Sequence, residues 1–376
     1  MLPYGRQSID EADIEAVVRT LHTDWLTTGP EVTRFEEAIA KRAGVPHAVS
    51  VTSGTAALHV AYYAAGIEPG DEVVTTPLTF MATAAGAALH GATIKFADVD
   101  PATGNLDPAA AEAQITDRTK VVAGVDYAGV PVDAPAFAAL ARKHDIVFLE
   151  DAAHSIGSTL DDVPVGSLAD LTTYSFFPTK NMTTAEGGAV VTASDDLALA
   201  ARRFHNQGFV RDAPSMRNPD EGPWHQEIHR FGLNYRLPDV LCALGSQQLT
   251  RLDDFVARRA QVKAMYDERL AGIEELTLPA APANAAPAWH LYPLRVPAER
   301  RRAIFESLRA QGIGVQVNYM PLYWHPVFED LGYQRGMCPN AEDYYRREIS
   351  LPMFPDLTDG QVEQVVTALK LALVEA

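Results

Sequence analysis

Cysteine is almost missing from this chain. Its two cysteines, Cys242 and Cys338, stand far apart in 376 residues and in no metal-ligand spacing. That excludes a disulfide-stapled scaffold, leaves no cysteine-based metal site, and reads as reduced thiols in a cytoplasmic protein. Positive charge is scarce as well: 31 Lys and Arg face 49 Asp and Glu, for a net charge of −18. A phosphate backbone is gripped by clustered Lys and Arg, so nucleic acid is not an expected partner. A single small nucleotide needs only a local pocket and is not excluded. No apolar run reaches 18 residues, and Met1–Gln7 contains no apolar signal region, so neither a membrane span nor a leader is expected.

What is present is ordinary in bulk and specific in pattern. Hydrophobic residues make up 47% and charged residues 21%, a soluble globular balance, and the length suits one large and one smaller domain. Ser8 and Glu11 form a capping-box pattern ahead of Ile14, Val17, Val18 and Leu21 at helical spacing. From about residue 46 to 192, short apolar strands alternate with helical segments. The strands are expected at Ala48–Val51, Glu72–Thr75, Ile94–Val99, Val121–Val125, Ile146–Leu149, Leu171–Phe177 and Gly188–Thr192, with helices such as Ala56–Ala65 and Ala134–Lys143 between them. This alternation predicts an α/β fold with a mostly parallel sheet and helices on both faces. Residues 209–230 read as a long loop and Pro238–Leu270 as a long helix. A smaller C-terminal domain is expected to carry strands at His290–Val296 and Gly314–Tyr319 and the helix Asp359–Val374. The division is placed at residues 1–255 and 256–376.

Only seven lysines occur, and one has a distinctive setting. Lys180 lies in Ser175-Phe176-Phe177-Pro178-Thr179-Lys180-Asn181, ahead of Glu186-Gly187-Gly188, in a polar turn between two strand-like runs. It follows Asp151, the acid after Ile146–Leu149, by 29 residues. An amine that can form a Schiff base and a carboxylate that can keep a pyridine nitrogen protonated are the two groups a pyridoxal phosphate (PLP) enzyme needs.

Four further segments fit a phosphate-bearing cofactor. In Ser53-Gly54-Thr55-Ala56-Ala57-Leu58, Gly54 permits close approach, Thr55 offers a hydroxyl, and the helix start offers free N–H groups. Taken alone, the segment reads equally as a capped strand-to-helix turn. Phe80, in Thr76-Pro77-Leu78-Thr79-Phe80, is placed to stack on a planar ring or to fill the core. Ser175 either reaches the same phosphate or faces water at a strand end. His154, in Asp151-Ala152-Ala153-His154, either bonds a ring substituent or is a satisfied structural histidine.

The order of these segments resembles the DegT-type sugar-nucleotide aminotransferases, which are PLP enzymes of fold type I. The motifs that carry the resemblance are Ser-Gly-Thr-Ala-Ala-Leu, Thr-Pro-Leu-Thr-Phe, Glu-Asp-Ala-Ala-His, Ser-x4-Lys, Glu-Gly-Gly and Gly232-Leu233-Asn234-Tyr235-Arg236. The resemblance runs from Thr28-Gly29-Pro30 to Ser350-Leu351-Pro352. Within the family, Thr75–Phe80 and Gly312–Val317 are most similar to the transaminase branch of pseudaminic acid biosynthesis. The resemblance implies a seven-stranded sheet and a set of roles. Lys180 bonds the cofactor and moves the proton, Asp151 pairs with the pyridine nitrogen, and Phe80 stacks on the ring. His154 lies near the ring hydroxyl, and Thr55, Ala56 and Ser175 hold the phosphate. Asn234 reaches the phosphate in the neighbouring subunit, so a homodimer with shared active sites is implied. The implied reaction moves the amino group of L-glutamate to a UDP-linked 4-keto-6-deoxy-N-acetylhexosamine at C4.

Two positions depart from the family pattern: Asn318 and Gln207 stand where histidine is frequent. Three rivals are weighed. Family dehydratases lack the bonding lysine, which is present here. A non-catalytic sensing paralogue would need the loss of a key group. An enzyme of free amino acids needs an arginine for the α-carboxylate, and Gly-Leu-Asn-Tyr-Arg favours sugar nucleotides instead. A dTDP- or GDP-linked keto sugar, aminated at C3 or C4, is the competing acceptor.

Overall fold

The computed structural model describes residues 1–376. The strand β1 (His47–Val51) is followed by β2 (Glu72–Thr75), β3 (Thr93–Phe96), β4 (Thr119–Val125), β5 (Val147–Asp151), β6 (Leu171–Ser175) and β7 (Gly188–Thr192). They form one seven-stranded sheet in the order β1-β7-β6-β5-β4-β2-β3. Neighbours are parallel except around β7, which runs antiparallel to both β1 and β6. β4 and β6 are buried almost throughout, as strands covered on both faces must be.

Helices cover the two faces. Gly54–Ala64 and Ala82–Ala88 bury Leu58, Val60, Tyr62 and Ala84 against Val73, Val121 and Leu149 on one side. Ala134–His144 packs Phe137 and Leu140 on Val122 and Phe148 on the other. Pro30–Ala43 places Phe35 and Ile39 on Tyr174, Phe176 and Val191. A separate core gathers Val262, Tyr266, Leu294, Ile304, Ile349, Val365 and Leu369. There β8 (Tyr292–Arg295) pairs antiparallel with β9 (Glu348–Leu351) beneath the helices Arg301–Ala310 and Asp359–Glu375. Leu2 also packs in this core, its N–H bonded to the Gly312 carbonyl at 2.8 Å, which brings the start of the chain beside its last quarter. No helix is long and apolar enough to cross a membrane.

Four local expectations are corrected. The first helix, Glu11–Leu21, is capped by Asp10, not Ser8: Asp10 and Asp13 bond each other's backbone N–H reciprocally, and the Ser8 hydroxyl turns to Asp356 at 3.0 Å. The long helix is two, Asp239–Thr250 and Leu252–Leu270, because Arg251 leaves helical geometry (φ −107°, ψ 3°). Residues 314–319 are no strand. Gln316 makes one bridge to Ser350, but the next inward N–H, that of Asn318, is taken by the Glu348 carboxylate at 2.7 Å and the ladder stops. The 209–230 stretch is not wholly loop, since Phe209–Val210 pairs with Glu227–Ile228. The division expected after residue 255 falls inside the helix Leu252–Leu270.

Candidate active site

The expected residues gather where β1, β2, β5 and β6 end, the edge at which open α/β sheets place ligands. Asp151 is the last residue of β5 and is 4% exposed. A buried carboxylate must be hydrogen-bonded or neutralised. Here Oδ2 accepts from the Thr83 hydroxyl at 2.7 Å and Oδ1 from the Ala153 N–H at 3.2 Å. Thr83 is held in turn by Thr79, oxygen to oxygen 2.8 Å. Burial pushes the Asp151 pKa up, while Thr83, Ala153 and the nearby Lys180 pull it down. A cationic partner at this carboxylate would complete the compensation.

Lys180 sits in the turn between β6 and β7, its N–H bonded to the Phe177 carbonyl at 2.9 Å. The turn is tied to the Asp151 loop by Asn181, whose amide donates to the carbonyls of His154 (3.3 Å) and Ile156 (3.4 Å). The side chain is partly covered. Burial of its ammonium lowers the pKa to about 8, against the upward pull of Asp151. An amine of that kind is partly neutral near physiological pH and can act as base or nucleophile.

His154 is buried, and its Nε2 lies 3.2 Å from the Tyr319 hydroxyl, while its Nδ1 has no partner. Its ring lies 4.4 Å from that of His290, centroid to centroid. Burial, reinforced by Lys180, drives its pKa well below the ordinary value, so the imidazole is neutral. Phe80 is 61% exposed although it follows a buried strand, and its ring centroid is 6.3 Å from that of Tyr319. At that exposure it is not a core side chain.

The helix Gly54–Ala64 is capped by Ser53, whose hydroxyl accepts the Ala56 N–H at 3.0 Å. Thr55 is exposed on its first turn and Ala56 is buried. Ser175, at the end of β6, presses against Gly54 so closely that an added Cβ would lie 2.7 Å from the Ser175 Cβ and 2.9 Å from its hydroxyl. Backbone, Thr55 and Ser175 therefore meet at one helix N-terminus, a geometry that suits a phosphate. Asn234 is exposed, held by a bridge to Asn206.

These residues fit a PLP molecule on three independent counts. An acid is buried with no cationic side chain bonded to it, a ring face is left open at Phe80, and a glycine-lined helix start carries two hydroxyls. Three members escaped the sequence reading. Thr83 lies one helical turn after Thr79 and gave no signal of its own. Tyr319 and His290 enter that reading only as the end of one expected strand and the start of another.

Asn318 adds a finding about a departure from the family pattern. Its side-chain amide donates to the Tyr4 hydroxyl (2.7 Å) and the Ser350 hydroxyl (3.1 Å), and its carbonyl accepts from Tyr127. The residue is committed to packing the N-terminal segment on the C-terminal region, and it fixes the backbone that carries Tyr319.

Residues 7–370 match the model of the DegT/DnrJ/EryC1/StrS aminotransferase family. The spore coat polysaccharide biosynthesis protein SpsC of Bacillus subtilis is 39% identical, over 98% of this chain and 96% of its own length. The UDP-4-amino-4,6-dideoxy-N-acetyl-beta-L-altrosamine transaminase of Campylobacter jejuni is 36% identical, over 95% and 93%. The structure of Helicobacter pylori PseC, an aminotransferase involved in pseudaminic acid biosynthesis, superposes with a TM-score of 0.94 at 31% identity, covering all of both chains. The chain belongs to the DegT/DnrJ/EryC1/StrS aminotransferase family.

Proposed function

We propose that this chain, a PLP-dependent sugar aminotransferase, moves the amino group of L-glutamate to C4 of a UDP-linked 4-keto-6-deoxy-N-acetylhexosamine. The observation that carries the reading is the pairing of a lysine lowered to about pH 8 with a buried, doubly hydrogen-bonded aspartate at adjoining strand ends. The identity with the Campylobacter jejuni transaminase supports the choice of sugar. When bound, PLP supplies an aldehyde for amines and a protonated ring that takes up the electron pair left on carbon.

The roles of the residues follow from their surroundings. Asp151, whose carboxylate accepts from Thr83 and Ala153, would hold the proton on the pyridine nitrogen. Phe80 would lie against one face of the ring, and neutral His154 would hydrogen-bond the ring hydroxyl without adding charge. Thr55, the Ala56 N–H region and Ser175 would hold the phosphate. Lys180 would anchor the cofactor and, when released, carry a proton between carbon atoms, since its amine gains and loses a proton near neutral pH.

The proposal includes a cytoplasmic homodimer in which Asn234 serves the neighbouring site, with a large domain to residue 255 and a small one after it. Large apolar side chains left open in the segment leading to Asn234 support the dimer: Phe231 is 94% exposed and Trp224 80%. A dTDP- or GDP-linked keto sugar is the second reading; SpsC, whose name gives spore coat polysaccharide biosynthesis and no nucleotide, is 39% identical against 36% for the Campylobacter jejuni transaminase. Turnover with glutamate on the UDP-, dTDP- and GDP-linked 4-keto-6-deoxy sugars, read by mass spectrometry, tests the choice. Preference for the UDP-N-acetyl sugar is expected; preference for either other nucleotide overturns it and leaves the aminotransferase reading standing.

A further inference from the structure

Away from the Lys180 site, a pocket of about 350 Å³ opens between the end of helix Gly54–Ala64, the helix Asp195–His205 and the 209–230 hairpin. Its lining includes Arg203, Arg217, His229, Arg230 and Tyr63, and it contains no Asp or Glu. In a chain of net charge −18, three guanidinium groups around one acid-free concavity are unexpected, because like charges converge at a cost unless an anion offsets them.

The nearby carboxylates do not supply that anion. Glu227 lies outside the lining and its oxygens are already occupied: they accept from the backbone N–H groups of Arg217 (2.8 Å) and Asn218 (2.6 Å) and lie against His225 and His229, not against any of the three guanidinium groups. Those backbone donors, with the histidines, hold its pKa at about 2. Asp212 reaches Arg203 only at a loose 3.7 Å, from an exposed position. The Arg217 and Arg230 side chains make no ion pair. The concavity falls in the size range of small-molecule sites, too roomy for a single inorganic ion and near that of a nucleotide.

We infer that Arg203, Arg217 and Arg230 form a binding pocket for a diphosphate-bearing anion. Guanidinium forks match phosphate oxygens in pairs, and three of them balance the charge of a diphosphate. Two sources share this chemistry: a free nucleoside diphosphate, or the diphosphate of a sugar nucleotide. The inference stands on the pocket alone and does not depend on which sugar is aminated.

Calorimetric titration of the holoenzyme with pyrophosphate and with UDP tests it, comparing the native protein with R217A/R230A and R217K/R230K. Both ligands are expected to bind the native protein with an affinity that falls with salt, and the double alanine variant to lose about tenfold or more. The lysine variant should recover part of that loss. The half-reaction with glutamate alone, followed by the cofactor's absorbance, should be unchanged in all three, which separates this test from that of the aminotransferase reading. A higher KM for the nucleotide sugar in the variant identifies the substrate's diphosphate; an unchanged KM with one class of UDP sites lost identifies a free nucleotide. Equal affinity within twofold in the native and alanine proteins overturns the inference. So does the absence of pyrophosphate binding combined with weakened subunit association in the variant, which would assign the arginines to carboxylates of a second copy.

Discussion

The Tyr319 hydroxyl lies 3.2 Å from His154 Nε2 and is the only hydrogen-bond partner of that imidazole's ring nitrogens, since Nδ1 has none. Two residues 165 positions apart thus meet where Phe80 leaves a ring face open. Tyr319 is delivered by a backbone pinned at Asn318, and His154 by the loop that begins at Asp151. Removing the phenol leaves a buried imidazole with neither nitrogen bonded, which costs about 1–3 kcal/mol. Tyr319→Phe is therefore expected to lower stability to urea by that amount and kcat by about tenfold. Because burial keeps His154 neutral, the loss should be the same from pH 6 to 8. A loss that grows toward acid would mean the imidazole titrates in this range.

Lys180→Ala should abolish transamination, together with the visible absorbance of lysine-bound cofactor and its fixation by borohydride, because no other lysine lies at the site. Asn234→Ala should also be inactive, for a different reason. Mixed dimers of the two variants contain one site with both residues intact, one from each chain. Partial return of activity on mixing is expected. If the subunits exchange and no activity returns, Asn234 does not act across the interface.

Asp151→Asn keeps the shape of the carboxylate and removes its charge. Cofactor affinity and kcat should both fall, kcat by about a hundredfold or more. Thr83→Val removes only one of the two donors to that carboxylate. It should cost about 1–3 kcal/mol in stability or cofactor binding while leaving measurable activity. Spectroscopic titration with PLP and steady-state kinetics would separate the two.

The contrast between Asp151 and Thr83 shows what the sequence could carry. Asp151 ends an apolar run and is spaced from a lysine in a polar turn, so local pattern exposes it. Thr83 sits among alanines in Ala82–Ala88, and only the three-dimensional pairing of β2's following loop with the end of β5 gives it a task. The strand–helix alternation fixes the sheet because each period is read over a few residues. Asn318 was legible as a departure from the family pattern, but its use was not: its partners Tyr4, Tyr127, and the β9 pair Glu348 and Ser350 come from three distant segments. The missed break at Arg251 has the same origin, since its side chain is drawn to Asp10 and Asp13 at the start of the chain.

Gly54→Ala tests the phosphate cradle by packing. The new methyl would stand 2.7 Å from the Ser175 Cβ, so the helix start or the end of β6 must shift, at about 1–3 kcal/mol. Lower thermal stability and weaker PLP binding are both expected. Adding Ser175→Gly relieves the clash but removes the hydroxyl. The double variant should thus regain stability without regaining cofactor affinity. Recovery of both would show that Ser175 only fills space.

The pH dependence of cofactor uptake tests the state of Lys180. Only a neutral amine bonds the aldehyde, and burial lowers the pKa of this one from 10.5 to about 8. A proton lost at about pH 8 leaves roughly a tenth of the amine neutral at pH 7 and roughly nine tenths at pH 9. The uptake rate of the apoprotein should therefore rise about tenfold over that interval and then level off. An ordinary lysine would give a rise of about a hundredfold with no plateau below pH 10. Asp151 pulls the Lys180 pKa upward, so in Asp151→Asn the midpoint should move to lower pH. Stopped-flow absorbance on apoprotein mixed with PLP, from pH 6.5 to 10, measures both. A midpoint near 10 in the native protein would show that the amine is solvated and unperturbed, and would remove the physical basis for assigning it the proton transfer.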